Sequence, residues 1–302
     1  MARKYKTNKR PGKGYRIALG LLAGLLLAVG AAIGLSALRA NTVHVRYATV
    51  AINDLPHAFE GTTLLYASDI DLGGITTAAK AAALFHRLQA LNPDILLLGG
   101  DYTTHTLPQI LNGTTSLTEG DRQQRSDFFH YISDFSAPLG KFALTAPDDG
   151  DDLFNVLDGA GFAMLNDSRH CIARGDDKLW LVGITENSEG VRKGGKLFRN
   201  GECVIALADS PASFPMLNTA EAADGGRWVD LCLAGHTHGG QVRILGRSML
   251  SLNTVENQYI YGWTHETGIP MLTTSGVGCE GVNLRLGTQA EVWLITLTGH
   301  KD

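Results

Sequence analysis

Apolar residues enter this chain first as one unbroken run and afterwards as short blocks separated by polar loops. Ile17 to Leu38 is uncharged and apolar over 22 residues. A helix needs about 20 such residues to cross the hydrocarbon of a bilayer, while a signal-peptide core needs only about 7–15. Val43 to Ile52 then alternates, predicting a strand, and Asp54 to Gly61 is a loop. Thr62 to Ala67 and Asp94 to Leu98 are solid apolar blocks, as expected of strands covered on both faces. Between them Thr76 to Leu91 sets Ala79, Ala82, Ala83, Leu88 and Leu91 near helical spacing, with Asn92-Pro93 as a stop. Strand, helix and strand in succession predict a parallel pair with a right-handed crossover. Asp121 to Phe135 and Asp151 to Ala160 predict further helices, with a strand at Lys141 to Leu144 between them. From Leu179 onward the blocks predict strands at 179–184, 203–208, 231–234, 242–245, 271–274 and 290–297. The pattern predicts an α/β domain over residues 43–298, with two facing mixed β-sheets flanked by helices, preceded by one N-terminal transmembrane helix.

Charge assigns the sides of that helix. Residues 1–16 hold seven Lys or Arg and no acid, so the positive-inside rule makes them a basic cytoplasmic tail. Residues 17–38 become a single-pass anchor in the cell membrane, and the domain is extracytoplasmic. A long signal peptide cleaved near Ala40 is the alternative and leads to the same side. After residue 40, 18 basic residues face all 30 acids of the chain. Such an acidic domain argues against nucleic acid as a partner, because that binding depends on Lys and Arg at phosphates. The cysteines at 171, 203, 232 and 279 show no Cys-x-x-Cys spacing, which excludes zinc-ribbon and thioredoxin readings, and no required disulfide is expected. Oligomeric state is left open.

Candidate chemistry gathers just after the apolar blocks. Ser68-Asp69-Ile70-Asp71-Leu72-Gly73 follows the first, Gly99-Gly100-Asp101-Tyr102 the second, and Leu231 to Ala234 runs into Gly235-His236-Thr237-His238-Gly239-Gly240-Gln241. In layered α/β folds ligands collect at the carboxyl ends of strands. A lone acid there is more often a helix cap or turn residue. Three such ends delivering carboxylates and imidazoles together predict a metal site.

These segments resemble the calcineurin-like metallophosphoesterase superfamily, in its membrane-anchored bacterial branch, over roughly Val43 to Leu297. Gly-His-Thr-His-Gly-Gly-Gln and Ser-Asp-Ile-Asp-Leu-Gly are close to that branch's wording, and Ser275-Gly276-Val277-Gly278 to Ile295-Thr296-Leu297 looks like its closing strands. The resemblance implies the fold above and two divalent ions bridged by Asp101. It implies a first position built from Asp69, Asp71, Asp101 and His238, and a second from Asp101, Asp209 and His236. It also exposes departures. Asp71 and Asp209 stand where the family has histidines, Pro147 replaces a ligating Asn, and Asp148 replaces the His that assists the leaving group.

A carboxylate can still ligate, whereas proline has no side-chain donor. The carboxylate-rich set favours Mn or Mg over Zn, Fe or Ca. Asp148 acts as catalytic acid only if burial or neighbours keep it protonated near neutral pH. Two readings stay open. One is a metal-dependent phosphoesterase acting on phosphodiesters or pyrophosphates, lipid- or envelope-linked, at the outer face of the membrane. The other is a catalytically inactive relative serving as a binding or scaffold module.

Overall fold

A computed structural model describes residues 12–299 except 115, 148, 151, 186–190, 192–193, 250–253 and 267. The N-terminal helix α1 spans Lys13–Ala40. Its 13–38 stretch is long and apolar enough to cross a membrane, and the apolar window is bare of packing from the domain.

Two six-stranded sheets follow. The first has the order β1-β14-β2-β3-β4-β5, with β1 at Val43–Ile52, β14 at Ala290–Gly299, β2 at Thr63–Ala67, β3 at Ile95–Leu98, β4 at Lys141–Ala143 and β5 at Ala163–Met164. The second runs β12-β13-β9-β8-β7-β6, with β12 at Gly262–Glu266, β13 at Ile269–Thr273, β9 at Leu231–Ala234, β8 at Cys203–Ala208, β7 at Asp177–Ile184 and β6 at Arg169–Arg174.

The solid apolar blocks are solid because each strand is covered twice. In β2, Leu64 and Tyr66 point into the layer between the sheets, while Leu65 and Ala67 point into the layer under the helices. In β3, Ile95 and Leu97 take the first role and Leu96 and Leu98 the second. This two-residue alternation is the pleat itself. Across the inner layer stand Leu181, Ile205, Leu207, Leu231, Leu233 and Leu272 of the second sheet. Each such side chain contributes about 1.5–3 kcal/mol by leaving water, which is what holds the sheets face to face. The outer layer of the first sheet packs under α2 (Ala78–Leu88), α4 (Glu119–Tyr131) and α5 (Leu153–Gly159).

The predicted helix over 76–91 is shorter as an α-helix. Thr77 caps it by accepting from Lys80 N–H at 3.3 Å, and residues 89–91 tighten into a 3-10 turn. The pattern missed β6 and β12, and the reason is their place at the two edges of the second sheet. An edge strand is half solvated and carries no apolar block. The six-residue helix α3 (Leu107–Asn112) was missed because its apolar side chains face outward instead of forming a buried stripe. The four cysteines are unpaired.

Strand direction places the chemistry. Strands β2, β3, β4 and β5 are parallel, whereas β14, and with it β1, runs against them. The carboxyl ends of β2 and β3 therefore lie at the same end of the sheet as Val43, where α1 hands over to β1.

Candidate metal centre

Each predicted strand end turns through left-handed backbone. Asp69 and Asp71 after β2 both have φ 52, Asp101 after β3 has φ 56, and His236 and His238 after β9 have φ 71 and 51. Side chains other than glycine seldom adopt this region, at a cost of order 1–3 kcal/mol each, and such strain collects at functional sites. The turn has a geometric effect: it breaks the strand alternation that would aim neighbouring side chains to opposite faces.

The strand ends are pressed together by glycines. A methyl group at Gly235 would meet Ser68 Oγ and sit 2.6 Å from Asp69 Oδ2, and one at Gly276 would sit 2.5 Å from Asp69 Cβ. One at Gly278 would collide with Asp71 Cβ and Ile70 O. Only backbone fits where Asp69 and Asp71 stand, so both carboxylates are fully buried.

The structure brings Asp69, Asp71, Asp101, His236 and His238 into one cluster. His236 N–H donates to Asp69 Oδ1 at 2.7 Å. His236 Nδ1 lies 3.4 Å from Asp101 Oδ2. His238 Nε2 is 3.8 Å from Asp69 Oδ1, and its Nδ1 is 3.4 Å from Asp71 Oδ2, close enough to pair but without a hydrogen bond. Asp209 follows β8 at the cluster's margin, where a methyl at Gly100 would come 3.6 Å from its Oδ1. Asp148 lies outside the described residues. Pro147 lines a neighbouring cleft of about 380 Å³ together with Ala146, Phe154, Asn166, Asp167 and Thr185.

The donors have unmet capacity. Asp69 Oδ2, both oxygens of Asp71 and His238 Nδ1 are buried without a hydrogen bond. An unsatisfied buried polar group costs about 1–3 kcal/mol, more if charged, and a cation would relieve several at once. Among the described residues no three His, Cys, Asp or Glu side chains are gathered tightly enough to hold an ion as they stand. The set fits a hard divalent cation by chemistry and by its unmet atoms, while its side chains are not drawn in to coordination distance.

Electrostatics report the same crowding. Burial, and then the charge of Asp101, hold the Asp69 carboxyl well above the usual range. Burial, and then Glu280 and Asp69, do the same to Asp71. For Asp101 burial pushes upward, but the His236 hydrogen bond and the charges of His236 and His238 outweigh it and leave the group below its ordinary value. The same hydrogen bond raises His236 to about 10, and burial followed by Arg285 pushes His238 down to about 3.

These shifts carry a sign. Above about pH 6.5 neutral His238 has no further effect and Asp101 is already ionised in folded and unfolded forms alike, but folded His236, raised to about 10, still holds a proton that the unfolded chain has released, and the raised Asp69 and Asp71 carboxyls act in the same direction. With a chelator present, stability is therefore expected to fall as pH rises from there, and Mn²⁺ should reverse the trend by giving the ionised donors a partner. Thermal melts in EDTA and in Mn²⁺ check this, and chelated protein that gains stability with rising pH would contradict it.

No family model matches the chain. Individual relatives do. The chain is 24% identical over 257 residues to an uncharacterized metallophosphoesterase of Aquifex aeolicus (strain VF5), an alignment covering 83% of this chain and 90% of that one. It is 28% identical over 223 residues to the phosphodiesterase YaeI of Escherichia coli (strain K12), covering 68% and 70%. A transmembrane protein with metallophosphoesterase domain from Danio rerio is 24% identical over 262 residues, covering 82% of this chain and 56% of that protein. The chain is thus similar to proteins named as metallophosphoesterases and to a phosphodiesterase.

Other residues around this site carry no local signal in the sequence. Arg285 is fully buried and donates to the carbonyls of Gly276 at 3.3 Å, Gly278 at 3.1 Å and His238 at 3.4 Å. Its charge lowers the Asp71 carboxyl, partly offsetting the crowd of acids. Buried Glu256 comes within 3.9 Å of His236 Nε2. Asp149 accepts from Tyr102 N–H and Ala146 N–H, both at 2.8 Å, tying the loop after β3 to the loop after β4.

The His105 ring is 11% exposed and sits 3.5 Å from Glu280, because the backbone after Asp101 folds back onto the 280–281 segment. Asn166 is held by Thr145 through three hydrogen bonds, and Asp167 accepts from the Thr185 hydroxyl at 2.9 Å.

Proposed function

We propose that this chain hydrolyses phosphodiester or pyrophosphate bonds, in lipid- or envelope-linked substrates, at the outer face of the cell membrane. One or two divalent ions serve it, Mn or Mg before Zn, Fe or Ca. In this reading residues 1–16 are the cytoplasmic tail, 17–38 the anchor and 43–298 the hydrolytic domain. The observation that carries it is the cluster of Asp69, Asp71, Asp101, His236 and His238 at joined strand ends, with buried carboxylate oxygens that no hydrogen bond satisfies. The named relatives support the reaction class.

Asp69, Asp71, Asp101 and His238 would hold the first ion, and Asp101, Asp209 and His236 the second. When bound, such ions polarise the phosphoryl group and lower the pKa of an attacking water. The chain supplies the rest. Burial of Asp69, Asp71 and His238 keeps bulk water from one side, while His236, with a ring 39% exposed, marks the open side. The cleft at Ala146, Pro147 and Asn166 begins beside Gly100 and Asp209 and offers room for the leaving group without a charged anchor at Pro147.

A binding or scaffold role is the second reading. It is favoured by Pro147, which brings no donor, and by donors that stand short of coordination distance. One pair of measurements separates the two: calorimetric titration of the full chain with Mn²⁺, and hydrolysis of bis(p-nitrophenyl) phosphate with and without it. Mn²⁺-dependent turnover is expected. Tight Mn²⁺ binding with no turnover moves the conclusion to the scaffold, and no binding at all removes both metal readings.

A further inference from the structure

The end of the fold that carries the acid and histidine cluster is also the end from which α1 departs, and it bears an unusual rim. Arg285 N–H donates to Ser36 O at 3.3 Å. Ser36 and Ala40 are buried against the domain, whereas Ile33, Leu35 and Leu38 around them stay exposed. Ser36 belongs to the last turn of the apolar span, about 3 Å before Leu38 at 1.5 Å per residue. The 280–286 loop is thus clamped to the level where the span leaves the hydrocarbon.

Two neighbours are bonded to that loop. Gly281 N–H donates to His105 O at 3.1 Å, beside α3. Leu286 N–H donates to Gln241 O at 2.9 Å, and Arg243 N–H to Leu286 O at 2.8 Å, beside the small hairpin of β10 (Arg243–Ile244) and β11 (Arg247–Ser248). All three segments expose large apolar side chains: Leu107, Ile110 and Leu111 on α3, Ile244 and Leu245 on the hairpin, and Val282 on the loop. Leu111 is 76% and Leu245 99% exposed.

Leu245 is the sharpest of these. It occupies the first position of a two-residue turn with φ 50, followed by Gly246 at φ 81. Such turns favour Asn or Gly, and a bulky residue there is strained. Strain with no packing among the described residues to offset it points to a contact outside the chain. Arg243 and Arg247 flank the tip, as cations do beside apolar residues that enter a lipid interface.

We propose that this rim dips into the outer leaflet, so that the mouth of the cluster sits at the level of the phospholipid headgroups. The proposal rests on the reading that α1 spans the membrane with the domain outside. Each apolar tip continues a loop of the site: α3 follows Asp101, the hairpin follows His238, and Val282 follows Gly278. The substrate class this geometry suits is an amphiphilic phosphoester that leaves its acyl chains in the leaflet and raises only its phosphate to Asp101 and His236.

The test uses the full chain in phosphatidylcholine–phosphatidylglycerol vesicles whose acyl chains are brominated or not. Tryptophan is placed by Leu245→Trp, by Leu111→Trp, and by Ala51→Trp near the far end of β1, about 26 Å along the strand from Val43. The four native tryptophans give the baseline. Bromine is expected to remove most of the emission added at 245 and 111 and little of that added at 51. Emission at 245 and 111 as insensitive as that at 51 overturns the proposal, and equal quenching of all three overturns it too. Hydrolysis of soluble bis(p-nitrophenyl) phosphate is scored separately: turnover without quenching sinks the rim alone, and quenching without turnover sinks the hydrolase reading alone.

Discussion

Arg285→Leu is expected to destabilise the domain by about 3–5 kcal/mol, the cost of breaking a buried charge arrangement by removing one partner. The side chain is fully buried and its guanidinium spends its donors on backbone carbonyls of Gly276, Gly278 and His238. Leucine fills similar space but leaves those carbonyls without their donors, and it removes the positive charge that lowers the Asp71 carboxyl. For a domain of this size the melting temperature should drop by roughly 6–20 °C. Arg285→Lys keeps the charge but not the planar fork that reaches several carbonyls, so its loss should fall between. Mn²⁺ should restore part of what leucine removes, because either cation answers the same carboxylates. Melts of the wild-type chain and both variants, with EDTA or Mn²⁺, measure this. A leucine variant within about 1 kcal/mol of wild type, the size of an ordinary substitution, would show that Arg285 is not a counter-charge.

Arg285 also shows where the sequence stops being readable. Asp69, Asp101 and His236 could be picked out because each closes an apolar block, and a block ending in Gly and Asp or Gly and His is a local signal. Arg285 sits between Leu284 and Leu286 in a loop with no period, and the carbonyls it holds belong to residues up to 47 positions away. Glu256 is similar: nothing near it in the chain indicates that it will face His236. The central strands β2, β3, β8 and β9 were legible because they are covered on both faces. The edge strands β6 and β12 were not, since half of each is polar by necessity. The helix α3 reads poorly for a further reason: Leu107, Ile110 and Leu111 face away from the domain, so the stripe that normally announces a helix has no buried partner.

The left-handed backbone at the strand ends shapes the choice of the most informative substitution in the cluster. Asp101 has φ 56, a region that Asn tolerates at least as well as Asp, so Asp101→Asn keeps the turn and the side-chain shape while removing the charge. In the proposed arrangement Asp101 is the one residue counted in both ion positions, and it is also the partner of His236 at 3.4 Å. Its loss should therefore weaken both positions together, whereas Asp209→Asn at the margin should weaken one. Changing a residue that merely orients a ligand typically costs about 10–100-fold, so losing a shared ligand should cut Mn²⁺-dependent hydrolysis at least about 100-fold. The melting temperature in EDTA should change little, which separates a lost ion from a lost fold. If Asp101→Asn keeps wild-type Mn²⁺ affinity and turnover while Asp209→Asn loses both, the bridging role belongs elsewhere in the cluster, and the pairing of Asp101 with His236 is a structural contact only.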